Sequence, residues 1–226
     1  MVNIYFIKWL LTQNKLVNIL YIQYRQCKIL LTSTKGQKMK IGKLTLASII
    51  AATALYAGNY TVDSSHSNVG FKVKHLMISN VKGHFDKFNG SFEYDEKTNT
   101  LKELKGTIQV SSINTGIEKR DTHLKSEEIF NVNKFPEIKF ELTKVEEDKA
   151  FGKLTLHGVT KDVIFDYENG GTVKDPWGNY RAGIAISGKI NRKDYGIIWN
   201  QILEAGGVAV GEKIKLDIEL EGILQK

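Results

Sequence analysis

The chain has almost no cysteine and almost no proline. Its only cysteine is Cys27 and its two prolines are Pro136 and Pro176. A single cysteine excludes a disulfide-stapled scaffold and a thiolate zinc cage, so the fold must stand on its core. Two prolines among 226 residues exclude a proline-rich or collagen-like chain. Acidic residues are missing from positions 1–57, which carry eight basic ones (Lys8, Lys15, Arg25, Lys28, Lys35, Lys38, Lys40, Lys43). Catalytic signatures are missing too: no His-Glu-x-x-His, P-loop, nucleophile elbow or glycine-rich dinucleotide fingerprint occurs.

The charge asymmetry decides how the net charge of +7 is read. Without those eight residues, 24 basic face 25 acidic side chains, so the rest of the chain is nearly neutral. The positive charge belongs to the leader and gives no ground for a nucleic-acid partner. Met39-Lys40-Ile41-Gly42-Lys43 is a basic start, and Leu44–Leu55 is an apolar run with small residues. Ala52-Thr53-Ala54 and Leu55-Tyr56-Ala57 both offer cleavage sites, after Ala54 or Ala57, which is the plan of a secretory signal peptide. The run is well short of the roughly 20 residues a spanning helix needs. We therefore expect residues 39–57 to be a signal peptide and residues 1–38 to be a spurious upstream extension, with Met39 the initiator. Residues 58–226 are expected to form one domain, long enough for a sizeable interior.

From Tyr60 onward the hydrophobic pattern has a period of two. Phe71, Val73 and His75 oppose Lys72 and Lys74, and a one-residue shift between Phe85 and Phe88 predicts a bulge before Gly90 and Phe92. Leu104, Gly106, Ile108 and Val110 share a parity, as do Ile138, Phe140 and Leu142. So do Leu154 and Leu156, and Val163, Phe165 and Tyr167. Ile184, Ile186, Gly188 and Ile190 follow, then Ile214, Leu216, Ile218 and Leu220. Turn chemistry separates them at 95–99, 146–149, His157-Gly158, Asn169-Gly170-Gly171 and Asp175-Pro176-Trp177-Gly178. Eight antiparallel strands predict an all-β, lipocalin-like up-and-down barrel, with a sandwich as the alternative. Aromatics beside glycines fit a strongly curved sheet.

One stretch, Asn114–Phe135, breaks the pattern. Ser126-Glu127-Glu128 predicts a helix start, and Ile117, Leu124, Ile129 and Phe130 an apolar helical face, in an insertion that covers one mouth of the barrel. The five histidines (His66, His75, His84, His123, His157) lack metal-site spacing, and His123 with Glu127 makes only two ligands. Ser64, Ser65 and Ser67 flank His66, but neighbours on an extended strand point to opposite faces. We expect no catalytic residue, no metal and no cofactor.

Several blocks resemble those of the YceI-like family of periplasmic, lipid- or polyisoprenoid-binding barrels. They are Tyr60–Gly90; Arg120-Asp121-x-His123-Leu124 with Phe130 and Phe135-Pro136-x-Ile138-x-Phe140; Leu154–Lys161; and Ile190-Asn191-Arg192-x-Asp194-Tyr195-Gly196, where Tyr195 stands in place of an expected Phe. The resemblance implies a non-catalytic periplasmic carrier, exported through its signal peptide, that holds a polyisoprenoid or fatty-acid-like amphiphile in an apolar slot. The inward residues then have two readings: they fill a core, or they line that slot. They are Phe71, Val73, His75, Phe85, Phe88 and Phe92; Ile108, Leu124, Phe130, Phe140 and Leu142; and Leu154, Leu156, Phe165, Ile186, Leu216 and Ile218. Arg120, Asp121 and His123 either seat the helix or meet a polar head group. A metal-dependent enzyme using the histidines and a ligand-free structural barrel stand as alternatives. Transient membrane contact and a monomer or homodimer are both compatible with this reading.

Overall fold

The computed structural model describes residues 57–204 and 206–225. The expected extension 1–38 lies outside the described residues, as does the expected signal peptide 39–57 apart from Ala57. Alternating strands form one antiparallel sheet that closes on itself. The strands are β1 (Ala57–Val62), β2 (Asn68–His75), β3 (Ser79–Phe85), β4 (Phe88–Asp95), β5 (Thr100–Gln109), β6 (Ile113–Asn114), β7 (Glu137–Glu146), β8 (Lys149–Leu156), β9 (Val159–Lys174), β10 (Tyr180–Asn191) and β11 (Val210–Leu224). The ring runs β1-β4-β5-β7-β8-β9-β10-β11, and β11 returns to β1 through Tyr60↔Leu224. Towards one end β2, β3 and β6 prolong β1, β4 and β5 and pair in the same order, starting from β11. Eight passes of the chain therefore make the barrel that the period-two pattern predicts.

Local chemistry explains the breaks within these passes. Between β1 and β2, Asp63 caps a 3-10 turn at Ser64–His66 by accepting from the Ser65 N–H at 3.0 Å. Between β3 and β4, the backbone N–H groups of Asp86 and Lys87 donate to the backbone and side-chain oxygens of Ser112 at 3.1 and 3.0 Å. That break is the shift read between Phe85 and Phe88, and it keeps both side chains on the inner face. Asn169-Gly170-Gly171, expected as a turn, instead lies inside the 16-residue β9. The register shifts opposite Gly183/Ile184, with Gly171 left-handed at φ 78°, so the glycines form a bulge that bends the longest strand.

The helical insertion is also displaced from its expected start. Helix α1 spans Glu118–Lys125, and Ser126 ends it, its N–H donating to the His123 carbonyl. The helix forms earlier because Asp121, in its first turn, accepts the Thr115 N–H at 3.0 Å and so ties the entering chain to it. Leu124, Ile129 and Phe130 pack on the core as expected, whereas Ile117 is exposed.

Away from α1, the barrel is filled by its own aromatics. Tyr60 stacks on Phe92 with ring centroids 5.3 Å apart, Tyr94 meets Tyr60 edge-on, and Leu101, Ala150 and Ile184 close around them. Towards α1 the rings instead lie along the wall. A Cβ on Gly83 or Gly188 would come within 2.4 Å of the Phe71 or Phe165 ring, so each glycine is a seat for a neighbouring aromatic. Gly188→Val should therefore drive Phe165 off the wall and cost about 1–3 kcal/mol in urea unfolding; an unchanged midpoint would refute the seat.

A charged clasp holds the filled end. Arg181 donates to Asp175 at 2.7 Å, to Asp63 at 2.9 Å and to Glu221 at 2.5 Å, all with little exposure except Glu221. His66 and Arg181 together hold the Asp63 carboxyl down at about 2, and Arg181 holds Asp175 well below the usual range. Depressed carboxylates stabilise the fold above their ordinary value near 4 and lose that contribution as pH falls towards 2. Arg181→Met should thus lower the melting temperature at neutral pH, with the difference shrinking across that acid window in circular dichroism melts. A difference independent of pH would show that Arg181 acts by packing alone.

Candidate functional site

The half of the barrel under α1 encloses a cavity of about 350 Å³. That volume is at the lower end of the roughly 300–1,000 Å³ of ligand pockets. Phe71, Val73, His75, Phe85 and Phe88 line it from β2, β3 and β4, and Ile108 lines it from β5. Phe140, Leu154, Leu156, Phe165, Ile186, Leu216 and Ile218 complete the wall, with Leu124 and Phe130 as the roof. Two residues of the expected lining lie elsewhere. Phe92 is stacked under Tyr60, and Leu142 is buried before the β7 irregularity at Leu142/Lys144, both outside the cavity. Their inward parity is as expected, but parity carries no information on depth along the barrel axis.

Polar groups gather at the α1 end. Arg120 and His123 line the cavity; Asp121 does not. Arg120 Nε donates to Thr115 Oγ1 and Nη2 to the Thr115 carbonyl, both at 2.7 Å, while Asp121 accepts the Thr115 N–H and hydroxyl. Arg120 and Asp121 thus share Thr115 in seating the helix, with no direct pair between them. His123 lies 3.0 Å from Glu128 Oε2 and meets the Trp199 ring edge-on at 4.9 Å.

Arg192 is the group that period-two reasoning passed over. It sits just past β10, is 5% exposed, and lines the cavity. Its hydrogen bonds go to carbonyls alone: Nη1 to Ile197 at 2.7 Å, Nε to Gly211 at 3.0 Å and Nη2 to Val210 at 3.4 Å. Burial pulls its pKa below the ordinary value, with Glu212 acting against that pull. These three bonds use only part of a guanidinium's five donors. Among the described residues no carboxylate is in contact with it, and nearby Glu212 is engaged with Lys193 at 2.6 Å. Trp199 and Ile197, in the segment Arg192 pins, were also missed. The only signal for them was Arg192 within the late sequence block.

Arg120 and Arg192 line the α1 end of the cavity, and among the described residues no aspartate or glutamate lines it. Lys74 and Lys105 border it from exposed positions, Lys105 paired with Glu141 at 3.4 Å. A pocket that is apolar along its length and cationic at one end suits an anion with an apolar tail, since a buried charge is stabilised by a counter-charge that is itself desolvated. Among the described residues, Asp63, His66 and Glu221 bring three metal-type ligand atoms within 4.8 Å of one another. Arg181 already donates to both carboxylates there, so that cluster has its cation.

Residues 60–222 match the family model described as a YceI-like domain. The UPF0312 protein SA2479 of Staphylococcus aureus (strain N315) is 43% identical over 164 residues, which are 72% of this chain and 96% of that one. A protein of nearly this domain's length therefore stands alone in that relative. The crystal structure of the Campylobacter jejuni YceI protein is 35% identical, covers 73% of this chain and 96% of its own, and superposes with a TM-score of 0.59. A polyisoprenoid-binding domain from Saccharophagus degradans shares the fold at 16% identity, over 74% of this chain and 98% of that one, with a TM-score of 0.55. With its eight-pass closed barrel, its roofing helix and this domain match, the chain belongs to the YceI-like family.

Proposed function

We propose that the protein is a non-catalytic carrier that sequesters a long-chain anionic amphiphile, a fatty-acid-like or polyisoprenoid lipid, in the periplasm. The tail lies along the cavity between the Phe71, Phe140 and Phe165 walls, and the head lies under α1 within reach of Arg192, Arg120 and His123. The observation that carries this reading is the apolar cavity ending at a buried arginine whose hydrogen bonds all go to carbonyls. The polyisoprenoid-binding description of the Saccharophagus degradans domain supports the tail, and the signal-peptide pattern at Met39–Ala57 supports the compartment.

The energetics need no covalent step. Each buried methylene contributes about 0.8 kcal/mol, so a tail of about ten gives roughly 8 kcal/mol. Association and chain ordering remove about 4 kcal/mol or more. The tail supplies affinity, and the head adds selectivity through charge-assisted hydrogen bonds of about 1.5–3 kcal/mol.

Delipidated domain, residues 57–226, should take up hexadecanoate at least about tenfold more tightly than hexadecanol in native mass spectrometry. Equal uptake by the wild-type domain would overturn the anionic-head assignment. Arg192→Met should bring the two affinities together while leaving uptake of the alcohol in place. Leu156→Trp places an indole in the cavity and should abolish uptake of both at an overpacking cost of about 1–3 kcal/mol. A folded Leu156→Trp domain that still binds either lipid would mean that the tail lies elsewhere.

A further inference from the structure

One hairpin of the barrel spends stability in two ways that its own packing does not repay. The first is at its tip. Leu76 and Met77, in the turn between β2 and β3, hold left-handed backbone at φ 50° and 63°. Such turns favour glycine or asparagine, and bulky side chains there are strained. The same turn leaves Leu76, Met77 and Ile78 in water, Ile78 at 83% exposure. The tip is tied to the loop before β11: Leu76 N–H donates to the Ala209 carbonyl at 2.8 Å, and that loop exposes Ile198 and Ile202 beside Trp199. His75, Trp199 and Val210 line the cavity, so the apolar tip stands at the cavity's end of the barrel.

The second cost is electrostatic. Between Val69 and Phe85 there is no Asp or Glu, but there are Lys72, Lys74 and Lys82. The sheet register sets Lys189 opposite Lys215, Lys215 opposite Lys72, and Lys72 opposite Lys82. Four lysines thus stand abreast on β10, β11, β2 and β3, in a row of about 14 Å at the usual strand spacing. Like charges directly opposite one another are destabilising. Among the described residues none of the four is in an ion pair, whereas nearby Lys149 is paired with Asp166 at 2.6 Å. Asp217 lies two residues along β11 from Lys215, on the same face, opposite Gly70.

We propose that this face is a docking surface for an anionic lipid bilayer, with Leu76-Met77-Ile78 inserted and the lysine row on the phosphates. The spacing fits. Interfacial apolar groups reach about 5–10 Å into a membrane, and Lys72 lies four residues, about 13 Å of strand, behind Leu76. Lys74 falls between them. The row runs across the strands, so a hairpin standing on the membrane brings its lysines to a similar depth. A second exposed apolar cluster, Val173, Trp177 and Tyr180 at the far end of the barrel, has no such lysine row. Its one lysine, Lys174, lies over the Tyr180 ring, its Arg181 is paired with Asp175, and the hairpin also carries Glu168. The surface deepens the carrier reading, on which it rests for its cargo but not for its contact, because it sets the cavity's helix end against the lipid source.

The test is cosedimentation of the 57–226 domain with vesicles of phosphatidylcholine, pure or mixed with phosphatidylglycerol. Binding is expected only with phosphatidylglycerol. It should fall about fivefold for each of Lys72→Gln and Lys82→Gln, and be lost in Met77→Asp/Ile78→Asp. Trp177→Ser and the cavity-filled Leu156→Trp should bind vesicles as the wild type does, so failure of the carrier reading leaves this result readable. Equal binding to neutral vesicles, or binding that survives the tip and lysine substitutions, overturns the proposal. So does a loss caused by Trp177→Ser alone. Loss in the lysine variants with full binding by the tip variant would also overturn it, leaving a surface for soluble polyanions.

Discussion

The architecture depends on where the aromatic rings lie inside a narrow barrel. Eight strands enclose little more room than their own side chains fill, so any void must be kept open deliberately. Here it is kept by glycines: the Phe71 and Phe165 rings rest on Gly83 and Gly188, against the wall. At the other end Tyr60, Phe92 and Tyr94 stack across the interior and close it. One sheet therefore holds a solid half, which stabilises the fold, and an open half, which has room for something else.

The two ends also treat charge differently. Arg181, at the solid end, is surrounded by Asp63, Asp175 and Glu221, so its burial is compensated within the chain. Arg192, at the open end, is more deeply buried and meets only carbonyl oxygens. Carbonyl dipoles satisfy donors without neutralising a charge, so the open end keeps a buried charge that the chain itself does not balance. The unpaired lysine row and the exposed tip belong to strands that border the same cavity. Stability is given up on one side of the molecule and secured on the other.

Much of this was legible in the residues. The eight passes followed from side-chain parity, and most of the inward set from Phe71 to Ile218 does line the cavity. The errors have physical causes. Asn169-Gly170-Gly171 has turn composition, but β10 pairs along both sides of it and absorbs the extra residue as a bulge. Ser126 has cap chemistry, but Asp121 bound Thr115 and started the helix eight residues earlier. Phe92 and Leu142 point inward, as parity requires, into the half of the barrel that is already full.

What the sequence determined by itself was local: which faces are apolar, where the chain turns, and which ordered blocks mark its family. Side chains alternate along a strand whatever surrounds it, so parity survives without knowledge of the fold. Depth, register and counter-charge are relations between distant segments, and only the tertiary structure decided them. It brought Arg192 against the carbonyls of Ile197, Val210 and Gly211 and set four lysines abreast from four strands. It also left room in one half of the barrel, because closure of the ring fixes how many rings meet at each level.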